Sequence, residues 1–120
     1  MQISFANDGT STLIAKVSGE LDHHIAGRIR DEADARIVKD SIKKLIFDFS
    51  ELNFMDSSGI GVIMGRYRQV IFKGGRIGVT GVKAGVERIF KLSGLYKIIE
   101  RYESETEAFL RPVTEYYAGR

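Results

Sequence analysis

Two hydrophobic periods alternate along this chain. Near its start Ile3 and Phe5 stand between polar neighbours, and Leu13, Ala15 and Val17 repeat the pattern. Apolar residues at every second position put one face of an extended strand on a core. Asn7-Asp8-Gly9 between the two runs has tight-turn chemistry, so an antiparallel hairpin is expected. Gly19-Glu20-Leu21-Asp22 is expected to break the second strand, with the Asp22 side chain able to cap a following helix. The period then lengthens. Ile25, Ile29, Ala33 and Ile37 lie four apart among charged residues, which predicts an amphipathic helix.

Lys43-Lys44 precede the compact apolar run Leu45-Ile46-Phe47-Asp48-Phe49, which suits a central strand covered on both faces. A loop then leads to a second helix expected from Asp56-Ser57-Ser58, burying Ile60, Ile63, Met64, Tyr67 and Ile71 and stopping at Gly74-Gly75. Arg76 to Thr80 reads as a strand. Val86, Ile89 and Phe90 mark a third helix closed by Gly94, and Lys97-Ile98-Ile99 reads as a short strand. Ser104-Glu105-Thr106-Glu107 has capping-box spacing for a last helix through Phe109 and Leu110, ended by Pro112. The expected order is β-β-α-β-α-β-α-β-α, an α/β domain with a mixed sheet over residues 1–112 and a tail over 113–120.

Composition narrows the function. At 120 residues the chain holds one core. Eighteen Lys and Arg against sixteen Asp and Glu leave a net charge of +2, too little for a nucleic-acid scaffold or a polybasic membrane surface. The absence of cysteine removes disulfides, thiolate zinc sites and a cysteine nucleophile. The apolar runs fall far short of the ~20 residues of a spanning helix, and nothing directs export, so the cytoplasm is the expected compartment.

The most unusual segment is Asn53-Phe54-Met55-Asp56-Ser57-Ser58-Gly59-Ile60-Gly61, between the central strand and the second helix. In open α/β sheets, ligands and reactive groups gather beyond the carboxyl ends of parallel strands. Serines at a helix start lie beside unpaired N–H groups and the positive end of the helix dipole, where an anion is tolerated. A phosphate on Ser57 fits that setting, although Asp56 opposes it; equally, Asp56 or Ser57 is simply an N-cap.

A serine hydrolase is the rival use of this loop. Its elbow wants G-x-S-x-G, but Met55 or Asp56 stands at the first glycine position, and no oxyanion hole is evident. His23 and His24 are the only histidines available as bases, and two adjacent imidazoles do not make a zinc site. No phosphate-cradling glycine loop is present, because Gly59, Gly61 and Gly65 lie within a helix. Each of those glycines costs the helix ~1 kcal/mol relative to alanine. Close packing on the sheet accounts for Gly65, whereas Gly59 and Gly61 serve either packing or the close approach of another protein.

Three stretches carry a resemblance: Gly19-Glu20-Leu21-Asp22-His23-His24, Phe54-Met55-Asp56-Ser57-Ser58-Gly59-Ile60-Gly61-Val62-Ile63, and Leu92-Ser93-Gly94-Leu95-Tyr96-Lys97-Ile98-Ile99. Together they resemble the anti-sigma factor antagonists of endospore-forming bacteria, single STAS domains, from about Ile3 to Leu110. The resemblance implies a protein-binding switch without catalytic residues, cofactor or metal. Ser57 is the implied phosphorylation site, modified by an anti-sigma factor that is itself a serine kinase and restored by a serine phosphatase. The unphosphorylated form is implied to bind the anti-sigma factor and release a sporulation sigma factor. The implied contact residues are Asp22, His23, Asp56, Ser58, Ile60 and Gly61. Direct contact with nucleic acid or membrane is not implied, and the free protein is expected to be a monomer. A small serine hydrolase or nucleotide-binding protein using the Ser57 loop is the alternative.

Overall fold

The computed structural model describes residues 2–7, 9 and 11–110, so the expected tail and the stop at Pro112 lie outside the described residues. The first hairpin forms as the alternation requires: β1 (Gln2–Asn7) pairs antiparallel with β2 (Thr12–Leu21), with Ile3 opposite Val17 and Phe5 opposite Ala15. At the turn the Gly9 N–H donates to Asn7 Oδ1 at 2.8 Å.

The first half of β2 runs parallel to β3 (Lys44–Asp48), and β3 runs parallel to β5 (Arg76–Thr80). A last strand, β6 (Glu100–Tyr102), pairs parallel with β5, giving the order β1-β2-β3-β5-β6. All five residues of the central β3 are buried, as the apolar run predicted.

Alternation along the strands divides the interior into two layers. Leu13, Ala15, Leu45, Phe47, Ile77 and Val79 join the main core, while Ile14 and Ile46 point the other way, to Tyr102 and Ala108. The main core is covered by α1 (Ala26–Lys39), which buries Ile29, Ala33 and Ile37, and by α2 (Ser57–Phe72). Helix α3 (Ala84–Ser93) adds Val86 and Phe90, whose ring stands edge-on to Phe49 at 6.0 Å. Gly94 follows with φ 74°, the left-handed conformation that closes a helix. On the opposite face α4 (Glu105–Leu110) opens with the Glu107 N–H donating to Ser104 Oγ at 3.1 Å, the capping-box bond its spacing predicted.

Several expectations are corrected. Strand β2 does not break at Gly19. It bends there, with φ 87° and a register shift between Gly19 and Glu20, and continues to Leu21 against a strand that the periodicity missed, β4 (Leu52–Met55). Part of the stretch read as loop is therefore extended, its four residues too few to display a period. The short strand near the end lies at Glu100–Tyr102, because Leu95–Lys97 coils into a single 3-10 turn. The buried face of α2 is Gly59, Val62, Ile63, Arg66 and Val70, so Ile60, Met64, Tyr67 and Ile71 flank the stripe instead of filling it. A Cβ on Gly65 would meet nothing within 4 Å, so close packing does not explain that glycine. The tight position is Gly59, where a Cβ would stand 2.5 Å from Met55 Cγ.

Candidate functional site

The site forms where β2 and β4 end side by side. Leu21 pairs with Met55, and the Asp56 N–H donates to the Leu21 carbonyl at 3.3 Å. That pairing carries the loop after β2 and the start of α2 to the same edge of the sheet. The two stretches are separated in sequence by the whole of α1, β3 and β4.

Asp56 is the N-cap of α2. Its backbone is extended, with φ −111° and ψ −171°, and Oδ1 accepts the Ser58 N–H at 2.8 Å. One of the four N–H groups orphaned at a helix start is thereby satisfied by a carboxylate that also suits the positive end of the dipole. Ser57 is the first helical residue and is exposed to solvent. Ser58 and Ile60 are half-buried, and Gly61 is exposed on the next turn.

The loop after β2 turns on Asp22, but not as a helix cap. The N-cap of α1 is Ile25, with no side-chain bond. Asp22 sits three residues earlier, where its Oδ1 accepts the His24 N–H at 2.9 Å and its carbonyl accepts the N–H groups of Ile25 and Ala26. Partial burial by itself would raise the pKa of this carboxyl. The His24 N–H and imidazole and the Ile25 N–H outweigh that effect, so the group is held below the ordinary aspartate value.

The two imidazoles divide between the two carboxylates. His23 Nδ1 lies 3.9 Å from Asp56 Oδ2, and His24 Nδ1 lies 3.7 Å from Asp22 Oδ2. Their rings approach to 3.9 Å between centroids.

The structure thus brings Asp22, His23, Asp56, Ser57 and Ser58 together, with Ile60 and Gly61 on the adjoining turns. Two features of the site went unread in the sequence. Phe54, beside the cap on β4, is 46% exposed, which leaves an apolar ring at the edge of the site. Arg66 is buried beneath the first turns of α2, with Nε 2.8 Å from Asp34 Oδ1. The Arg66 position on the α2 stripe was the available signal for a buried charge.

The chain is similar to proteins of known role over most of its length. The STAS-domain family matches residues 6–108. The anti-sigma F factor antagonist of Paenibacillus polymyxa is 42% identical over 96 residues, which are 80% of this chain and 82% of the relative. The anti-sigma-B factor antagonist of Listeria monocytogenes is 31% identical over 91 residues, 76% of this chain and 79% of that one. In structure, the chain overlays the Bacillus anti-sigma factor antagonist SpoIIAA. Against the unphosphorylated form the TM-score is 0.74, with 27% identity over 90% of this chain and 94% of the other. Against the phosphorylated form it is 0.71, with 28% identity over 88% and 95%. With its mixed sheet, four α-helices among the described residues and Asp56-Ser57-Ser58 helix start, the chain belongs to the STAS-domain anti-sigma factor antagonists.

Proposed function

We propose that this protein binds an anti-sigma factor through the face formed by the Asp22-His23 loop and the start of α2, and that phosphorylation of Ser57 switches the binding off. The partner is a serine kinase that places the phosphate, and a serine phosphatase removes it. The unphosphorylated form thereby frees a sporulation sigma factor. The protein works in the cytoplasm, monomeric when free, and supplies no catalytic group.

One observation carries this reading: Ser57 is exposed at the first position of α2 while Asp56 beside it holds the cap. Its hydroxyl can be reached without disturbing the helix. A phosphate there adds about −1.5 to −2 charges beside the Asp56 carboxylate. A partner covering this face has to desolvate that charge, and complex formation weakens by at least about tenfold. No refolding is needed, since the change is electrostatic and steric at one helix end. The similarity to SpoIIAA, described in phosphorylated and unphosphorylated forms, supports the same reading.

The test is incubation with the cognate anti-sigma factor and ATP, followed by peptide mass spectrometry. The expected result is one phosphate, on Ser57, with Ser57→Ala unlabelled and still bound. Label persisting on the alanine variant, or found on Ser58 alone, overturns the assignment.

A further inference from the structure

The first turns of α1 and α2 do not close on each other. Between them lies a cleft of ≈ 240 Å³ whose walls include Gly27 and Arg30 from α1 and Ser58, Gly61 and Arg66 from α2. Among the described residues, none of those that line it carries a carboxylate.

Arg66 is 8% exposed. Its Nε is near enough to Asp34 Oδ1 to balance charge, yet the two are misaligned for a hydrogen bond, and both atoms are buried without one. Nη1 reaches the Val62 carbonyl only at 3.4 Å. The Asp34 carboxylate offsets part of the cost of burying this guanidinium, and its five N–H donors leave capacity for a further acceptor. Arg30 stands on the opposite wall. Its Nη2 lies 3.6 Å from where a Cβ on Gly27 would be, so the side chain folds back toward the start of α1. Its 3.0 Å pair with Asp31 joins two exposed side chains and is screened by water. At Gly61 a Cβ would meet nothing within 4 Å, which leaves that side open.

We propose that this cleft receives the carboxylate of an Asp or Glu side chain from the protein that docks on the Ser57 face. Guanidinium forks match a carboxylate in geometry, and the positive end of α2 adds to their attraction. Ser58 and Gly61 belong both to the cleft and to the proposed contact face, so a partner lying over Ser57 reaches the opening. The inference rests on the binding role proposed above and gives that partner an acidic anchor.

Two measurements test it. The first needs no partner. The isotopically labelled chain is titrated with N-acetyl-aspartate and, in parallel, with N-acetyl-asparagine-amide as the uncharged control. The amides of Gly27, Ser58 and Gly61 should shift saturably with the carboxylate only, and the response should vanish in Arg30→Gln. Equal responses to the two compounds, or an undiminished response in Arg30→Gln, overturn the cleft as a carboxylate site whatever the partner is. The second is calorimetry of the full chain with the anti-sigma factor. Arg30→Gln should weaken binding about tenfold and Arg30→Glu considerably more, at unchanged melting temperature, with an acidic-to-Lys substitution in the partner restoring the Arg30→Glu complex. Arg30→Glu binding as wild type does would exclude the anchor while leaving the role of Ser57 standing. An anti-sigma factor that fails to bind even the wild type would overturn the binding role and with it the acidic anchor, and the titration would still decide whether the cleft holds a carboxylate.

Discussion

His23 Nδ1 stands 3.9 Å from Asp56 Oδ2, and through that pair the loop after β2 meets the cap of α2. Asp56 divides its two oxygens, one holding the Ser58 N–H at 2.8 Å and the other facing the imidazole. The residue next to the proposed phosphosite therefore both starts the helix and joins the two loops of the site. Any charge placed on Ser57 is felt by both loops, because the carboxylate that opposes it belongs to both.

Asp22 offers a separation of binding from stability. Its carboxylate shapes the turn by accepting the His24 N–H, and an asparagine Oδ1 can accept the same bond. Asp22→Asn should keep its melting temperature while losing phosphorylation by, or affinity for, the anti-sigma factor. Asp22→Ala should lose the turn as well and melt lower. Kinase assays beside thermal melts of both variants give the answer, and an Asp22→Asn protein phosphorylated and bound at wild-type levels would confine Asp22 to the turn.

Ser57→Asp should reproduce the phosphate only in part. It adds one charge where phosphate adds about −1.5 to −2, and it lacks the third acceptor oxygen. Calorimetry with the anti-sigma factor should place its affinity between the wild type and the phosphoprotein. Affinity equal to that of the wild type would count against charge as the basis of the switch.

The helix glycines can be told apart by alanine. At Gly61 and Gly65 a Cβ meets nothing within 4 Å, so either substitution should stabilise the fold by up to ~1 kcal/mol. Only Gly61 lies on the proposed contact face. Gly61→Ala should therefore raise the melting temperature and weaken the complex, whereas Gly65→Ala should raise it and bind normally. Parallel effects of both variants on binding would remove the case for a close approach at Gly61.

A pH effect is expected at the junction of β3 and α4. The Glu105 carboxyl is pushed up to about 7, first by its hydrogen bond with Asp48, then by burial and the Asp48 charge, against the pull of Lys16. Burial would also raise Asp48, but the bond with Glu105, the Ser50 N–H at 2.9 Å and Lys16 together hold it below the ordinary value. The pair shares one proton. Glu105, with its folded pKa raised from 4.5, contributes stability that is complete below 4.5 and is lost as pH rises through about 7. Asp48, with its folded pKa depressed from 3.8, contributes stability that is present above 3.8 and is lost in stronger acid. The denaturation midpoint should therefore fall between about pH 6 and about pH 8, and Glu105→Gln, which keeps a donor and has no proton to lose, should flatten that fall. An equal slope in the variant would show that other groups set it.

Read alone, the sequence determined the elements whose signals are local. Period-two runs placed β1 and β2, spacing of four placed α1, and the unbroken apolar run placed β3 at the centre of the sheet. The Asp56-Ser57-Ser58 helix start was legible because an N-cap is chemistry between near neighbours, and Gly94 was legible for the same reason. Tertiary structure decided which segments meet. Periodicity records which face of a segment is buried and not what lies against it. The course of β2 past Gly19, its exchange of β3 for β4, and the placing of β6 at Glu100–Tyr102 depend on backbone pairing with distant strands. Short strands leave no period to read, and Leu52–Met55 needed β2 beside it to become one. The same holds at the site. The sequence supplied Asp22, His23 and Asp56 as separate residues. Only the Leu21–Met55 pairing brought them together, and only the packing of α1 beside α2 placed Arg30 and Arg66 on the two walls of one cleft.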